Sequence, residues 1–238
     1  MAEFKGIVQV KYEDLSYERY YQAEPYTAGI DVLRVGTGSG KSGISFTDKV
    51  AELEKKIKTG SMEERDWKCR YTSHRVASPS EFGFSAGDNN VLYVEIGPTS
   101  WQEWREDYKR LDEDAEVLQQ RGFLEHNDRG FYLSQGLGAC VLTLTSQGDV
   151  VVGIRTSDSY DGTIHGAAGW MQFDKDLNKV HPEYDARREL EEELGLRKDD
   201  VSSLNLLGLV AYPKTLEADF VYAGKTTKSR DYFTSDAW

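Results

Sequence analysis

Cysteine is nearly absent: Cys69 and Cys140 are the only two in 238 residues. They lie far apart and match neither a metal-ligand spacing nor a redox pair. No disulfide framework is therefore implied, and both read as reduced, partly buried thiols. Proline is scarce, at five residues, and there is no Pro-rich linker, internal repeat or low-complexity tract. Long apolar runs are missing as well. The longest, such as Asp149-Val150-Val151-Val152-Gly153-Ile154, are strand-sized, far short of a membrane span. The first residues, Met1-Ala2-Glu3-Phe4-Lys5-Gly6, lack the basic segment and apolar stretch of a secretory signal. A cytoplasmic protein is the expectation. Positive charge is in deficit, with 29 Lys and Arg against 41 Asp and Glu and a net charge of -12. A phosphate backbone or an anionic membrane would be repelled unless a local basic patch outweighed that field, and no such patch stands out. Neither nucleic acid nor membrane is an expected partner. For a phosphate-ester substrate, so acidic a chain needs cations near the site, and bound metal is the obvious source.

What is present suffices for one or two globular units with a sizeable core. Ile30-Asp31-Val32-Leu33-Arg34-Val35 reads as a strand and runs into a Gly-rich turn, Gly36 to Gly43. Thr47 then caps a helix that puts Val50, Leu53 and Ile57 on one face and ends near Thr59-Gly60. Asn90 to Gly97 reads as a strand. After Pro98-Thr99-Ser100 comes the clearest helix, whose Trp101, Trp104, Tyr108, Leu111, Ala115 and Leu118 recur at spacings of three and four. Aromatics in such a stripe suggest core more often than a base-stacking surface, so the helix reads as scaffold that stops at Gly122.

From Gly136 the texture changes. Cys140 to Thr145, a turn at Ser146-Gln147-Gly148-Asp149, and Val150 to Arg155 make a hairpin signal. A loop from Ser157 to Gly169 leads to a short acidic helix bounded by Pro182, suited to a first helical turn, and Gly195, suited to a left-handed end. Within it Glu189, Glu192 and Glu193 stand at i, i+3 and i+4, so three carboxylates share a face while Leu190 and Leu194 point elsewhere. Exposed to water, such a face is an ordinary solvated helix surface. Partly enclosed, it needs a compensating cation, and hard oxygen ligands suit Mg2+ or Mn2+. Arg188, one turn before Glu192, is placed to orient it.

Arg188, Glu189, Leu190, Glu192, Glu193, Gly195 and Leu196 resemble the second half of the Nudix box, Arg-Glu-U-x-Glu-Glu-x-Gly-U with U aliphatic. The order of a preceding hairpin, a loop ending in Gly, and later strands at Leu206–Val210 and Asp219–Tyr222 also fits that family. The first half departs from the pattern. Gly169 matches its opening Gly, but Lys175 stands where Glu is expected, and twelve residues (176–187) rather than seven separate it from Arg188. Asp174 or Asp176 would have to replace the missing Glu. The family pattern also asks for another strand and a packed helix beyond Tyr222, for which residues up to Trp238 leave little room.

The resemblance implies an α+β protein: a Nudix-type α/β/α sandwich with a mixed sheet at 133–238, preceded by an N-terminal α+β accessory domain at 1–132. It implies a Mg2+- or Mn2+-dependent hydrolase that cleaves the diphosphate linkage of a nucleoside-diphosphate-linked small molecule. Glu189, Glu192 and Glu193 would hold metal together with the carbonyl around Gly169, and Arg188 would brace a carboxylate. The general base stays open between a helix glutamate and Glu217, Asp219 or Asp231. His165 and Trp170 flank the Gly-rich end of the loop, where a packed Trp and an exposed His are expected. Trp67-Lys68-Cys69-Arg70-Tyr71 and Tyr93-Val94-Glu95-Ile96-Gly97 are similar, more weakly, to the pre-Nudix part of proteins acting on UDP-sugars, which leans the substrate toward a nucleotide sugar.

Two other readings compete. Gly36 to Ser42 invites a phosphate-binding loop, but Val35 stands where the pattern needs Gly, and the following helix starts too late to aim its amides at a phosphate. The other is a catalytically inactive Nudix-fold module that binds a nucleotide or a protein.

Overall fold

The computed structural model describes residues 30–77, 90–154, 164–176, 179–212 and 215–234. The architecture is α+β with a mixed sheet. The first sheet has order β1-β3-β2, built from β1 (Ile30–Thr37), β2 (Trp67–Ala77) and β3 (Asn90–Ser100). Strand β1 runs parallel to β3, and β2 runs antiparallel to it. The second sheet, order β5-β4-β10-β9, comprises β4 (Leu137–Leu144), β5 (Val150–Val151), β9 (Val201–Ala211) and β10 (Ala218–Thr226). Strand β10 lies parallel to β4 and antiparallel to β9. A short pair, β6 (Gly153–Ile154) and β7 (Ile164–His165), leads to β8 (Ala167–Trp170), which pairs with β4. The expected hairpin is present as Thr143 and Leu144 against Val151 and Val150, with Gly148 in the turn at φ 87°. Of the loop from Ser157 to Gly169, residues 157–163 lie outside the described residues.

Helix α1 (Phe46–Lys58) is capped by Ser45 rather than Thr47, because the Ser45 hydroxyl accepts from the Asp48 amide at 3.1 Å. As its spacing predicts, Leu53 is buried while Val50 and Ile57 pack against the core. Before it, a 3-10 turn at Lys41–Gly43 follows the Gly-rich stretch, and Lys41 is ion-paired with the buried Asp107. Glycine at 97 is required here: a side chain would collide with the Ser39 carbonyl. Lys41 thus ties the turn to the next helix.

That helix, α2 (Trp101–His126), starts at Ser100, whose hydroxyl accepts from Glu103, and runs past Gly122 to Asn127, which closes it in the left-handed conformation at φ 54°. Gly122 is not a stop. It lets the Asp128 carbonyl approach the helix where a side chain would clash. Of the apolar stripe, Ala115 is buried, Leu118 and Trp104 are half-buried, and Trp101 is exposed. The side chains of Tyr108 and Leu111 lie outside the described residues.

One hydrophobic core joins both sheets, from Leu53, Trp67, Leu92 and Ile96 to Leu137, Val141, Leu190 and Phe220. The backbone joins them too, since the Cys69 amide donates to Met171 at 3.0 Å and the Tyr71 amide to Gln135 at 2.7 Å. Arg70 is buried at this junction and donates to the carbonyls of Gly130 (3.0 Å) and Leu133 (3.3 Å). Burial pulls its guanidinium down to about 10, still charged at neutral pH. Cys69 and Cys140 are both free thiols, and burial raises Cys140 to about 12. Among the described residues no helix is long and apolar enough to cross a membrane.

Candidate active site

Helix α3 (Pro182–Leu194) has the expected ends, with Pro182 in its first turn and Gly195 at φ 63° closing it. The Leu196 amide returns to the Leu190 carbonyl at 3.1 Å, and Leu190 and Leu196 are both buried there, the polar and apolar halves of a helix-ending motif. Ala186, Leu190 and Leu194 seat the helix on the core. With that stripe fixed, Glu189 stands at its edge and is buried, whereas Glu192, about 60° further round the helix from the stripe, is exposed.

Glu189 is only 6% exposed. Its carboxylate lies over Gly169 of β8, where any side chain would collide with both carboxylate oxygens. Glu193 accepts from the Ala168 amide at 3.0 Å, at the edge of β8 turned away from β4. Arg188 binds three carboxylates and a carbonyl: Glu189 at 2.7 Å, Asp185 at 3.1 Å, Glu192 at 3.0 Å and the Trp170 oxygen at 3.2 Å. The motif residues Arg188, Glu189, Glu193 and Gly169 therefore meet at one strand edge. Glu192 is exposed and joins them through Arg188.

Burial raises the Glu189 carboxyl to about 7; Arg188 opposes the shift, and Glu193, Glu192 and Asp185 add to it. A buried carboxylate crowded by like charges favours a proton or a cation. The donors fit a hard divalent ion in kind, as carboxylate and carbonyl oxygens. As arranged, however, Arg188 bridges Glu189 and Glu192, and among the described residues no three His, Cys, Asp or Glu side chains form a group able to hold a metal.

Asp185, not singled out from the sequence, is the residue that Arg188 uses inside the fold. It is 2% exposed, accepts from the Gln172 amide at 3.3 Å, and has its carboxyl raised by burial. Its signal was the i, i+3 spacing to Arg188. By contrast, Asp174 accepts from the Asp176 amide, and Asp176 is exposed.

The opposite face of the same sheet holds a second group. Trp170 and Asp219 are both in register with Gly138, so they share a face, while Gly169 presents Glu189 on the other. Asp219 accepts from the Tyr212 hydroxyl at 2.8 Å, and Glu217 accepts from the Trp104 indole. Burial raises both carboxyls. Trp170 packs edge-on against the stacked pair Trp101 and Trp104. Asp231 is exposed on α4 (Arg230–Thr234). His165 is half-buried rather than exposed, and its Nδ1 lies 2.7 Å from the Gly166 carbonyl.

No family model and no curated protein matches the chain. The geometry alone carries the functional argument. It offers a strand edge with a buried, cation-favouring carboxylate, a second carboxylate anchored on a backbone amide, and an arginine that fixes their spacing.

Proposed function

We propose that this is a Nudix-type fold, an α/β/α sandwich with an accessory N-terminal part, and that it hydrolyses the diphosphate linkage of a nucleoside-diphosphate-linked small molecule, a nucleotide sugar by preference, in the cytoplasm. The observation that carries the reading is the meeting of Gly169, Arg188, Glu189 and Glu193 at the edge of β8. These positions come from two separate stretches of sequence and match both ends of the motif.

The residues that would hold Mg2+ or Mn2+ are Glu189 and Glu193, with Glu192 beside them and a backbone carbonyl next to Gly169, whose own carbonyl faces β4. Such an ion, when bound, neutralises diphosphate charge and lowers the pKa of water. The chain's own contribution is positional. Arg188, held by buried Asp185 and the Trp170 carbonyl, sets the separation of Glu189 and Glu192. Glu189, titrating near neutrality, is suited to hold a proton or to exchange it for a cation, the proton going to water, at working pH.

The second reading is a nucleotide-binding or protein-interaction module without turnover, and the observation in its favour is that Arg188 already occupies two of the three helix carboxylates. Product release from nucleoside diphosphate sugars, ADP-ribose, dinucleoside polyphosphates and nucleoside triphosphates, with Mg2+ or Mn2+, decides between them. Hydrolysis is expected to need the metal and to fall by roughly 100-fold or more in Glu193→Gln and Glu189→Gln. Binding of a panel member without turnover by a folded protein would select the module.

A further inference from the structure

The loop that leads from β8 into α3 forms one wall of a cleft of about 560 Å3, within the range of small-molecule sites. Phe173, Lys175 and Lys179 come from this loop, Ile57 and Lys58 from the end of α1, and Trp67 from the start of β2. None of these residues belongs to the acidic site. The base is apolar: the Trp67 and Phe173 rings lie 5.6 Å apart, tilted by 47°, and Phe46 extends the cluster behind Phe173.

The lysines around the cleft call for an acceptor-rich ligand. Around the cleft stand three lysines in a chain of net charge -12. Lys175 is paired with Glu54 at 3.1 Å and Lys179 reaches Asp176 at 4.0 Å, whereas Lys58 forms no ion pair among the described residues. Three carboxylates, Glu54, Glu64 and Asp174, share the lining, and the Asp174 carboxylate is engaged by the Asp176 amide. The lining is thus locally neutral where the chain as a whole repels anions, and its cations are exposed and adjustable.

We propose that this cleft binds a phosphomonoester carrying a flat ring, with the ring against Trp67, Phe173 and Ile57 and the phosphate on Lys58, Lys175 and Lys179. The phosphate supplies charge-assisted acceptors for ammonium groups, and the ring covers apolar surface at the base. The site is separate from the acidic helix and does not depend on hydrolysis there.

The test is calorimetric titration of the full chain with AMP in EDTA, with adenosine and inorganic phosphate titrated separately. AMP is expected to bind at one site, and each of its two parts alone roughly tenfold more weakly or less. The double variant Lys58→Glu, Lys175→Glu changes exposed side chains and is expected to weaken AMP roughly tenfold without lowering the melting temperature. Glu193→Gln is expected to leave AMP affinity unchanged. No AMP binding up to ~10 mM, or binding indifferent to the lysine charge reversals, would overturn the proposal. AMP binding that Glu193→Gln alters would assign it to the acidic helix instead.

Discussion

At the scale of single residues, Glu189 is where the fold has least in common with a solvated acidic helix. An ordinary glutamate is charged above pH 5, whereas burial, with Glu193, Glu192 and Asp185 nearby, raises this one to about 7. The sign of the consequence is definite. Between the free value of 4.5 and about 7 the folded state holds a proton that the unfolded state has lost. Stability from this group is therefore full below pH 4.5, falls as pH rises, and levels off above 7. The loss is of the order of 2–3 kcal/mol. Asp185, Glu217 and Asp219 shift in the same direction, so wild type must be compared with Glu189→Gln, which removes one contribution and keeps the side-chain shape. Denaturant unfolding in EDTA at pH 5 and pH 8 is expected to give the shallower pH dependence in the variant. Equal slopes would remove the argument that Glu189 is strained by its charge. Mg2+ added at pH 8 is expected to restore stability to wild type alone, which links this residue to the proposed metal.

At the scale of elements, Gly122 makes a prediction with the opposite sign to helix propensity. Alanine is the better helix former by about 1 kcal/mol, yet a methyl group at 122 would collide with the Asp128 carbonyl as the chain turns back at Asn127. Gly122→Ala is expected to destabilise by about 1–3 kcal/mol, read as a shift of the urea midpoint with unchanged slope; a stabilised variant would show that the turn yields. The same glycine marks where sequence reading stops. Periodicity gave the course of α2, and Pro182 with Gly195 bounded α3, because those are local signals carried by residues close in the chain. Whether Gly122 ends a helix or admits a carbonyl depends on the turn packed against it, which no local pattern contains. The acidic site divides in the same way. Spacing puts Glu189, Glu192 and Glu193 on one side of a helix, but only packing of Ala186, Leu190 and Leu194 decides that Glu189 goes inward over Gly169 and Glu192 outward. The role of Asp185 is not legible in sequence beyond its spacing to Arg188, because it follows from burial beside Gln172.

At the scale of the whole molecule, the expected domain boundary at 132/133 coincides with a junction that the core crosses. Met171 and Gln135 take amides from β2, and the buried Arg70 of β2 depends on carbonyls at Gly130 and Leu133, on either side of that position. A chain divided at 132/133 would leave Arg70 short of an acceptor and expose the seam between Trp67, Met171 and Phe173 to water. Arg70 would keep Ser39, Thr72 and Gly130, so losing the Leu133 acceptor costs about 1 kcal/mol or more; the opened apolar seam costs a few kcal/mol more, a sizeable share of a domain's stability. The intact protein is therefore expected to unfold in a single transition, with tryptophan fluorescence and far-ultraviolet circular dichroism coincident. Fragments 1–132 and 133–238 are expected to lack sharp melting when separate and to regain it when mixed. Two fragments that each melt cooperatively alone would mean that the shared core contributes little, and the acidic helix would then have to be supported by the second sheet by itself.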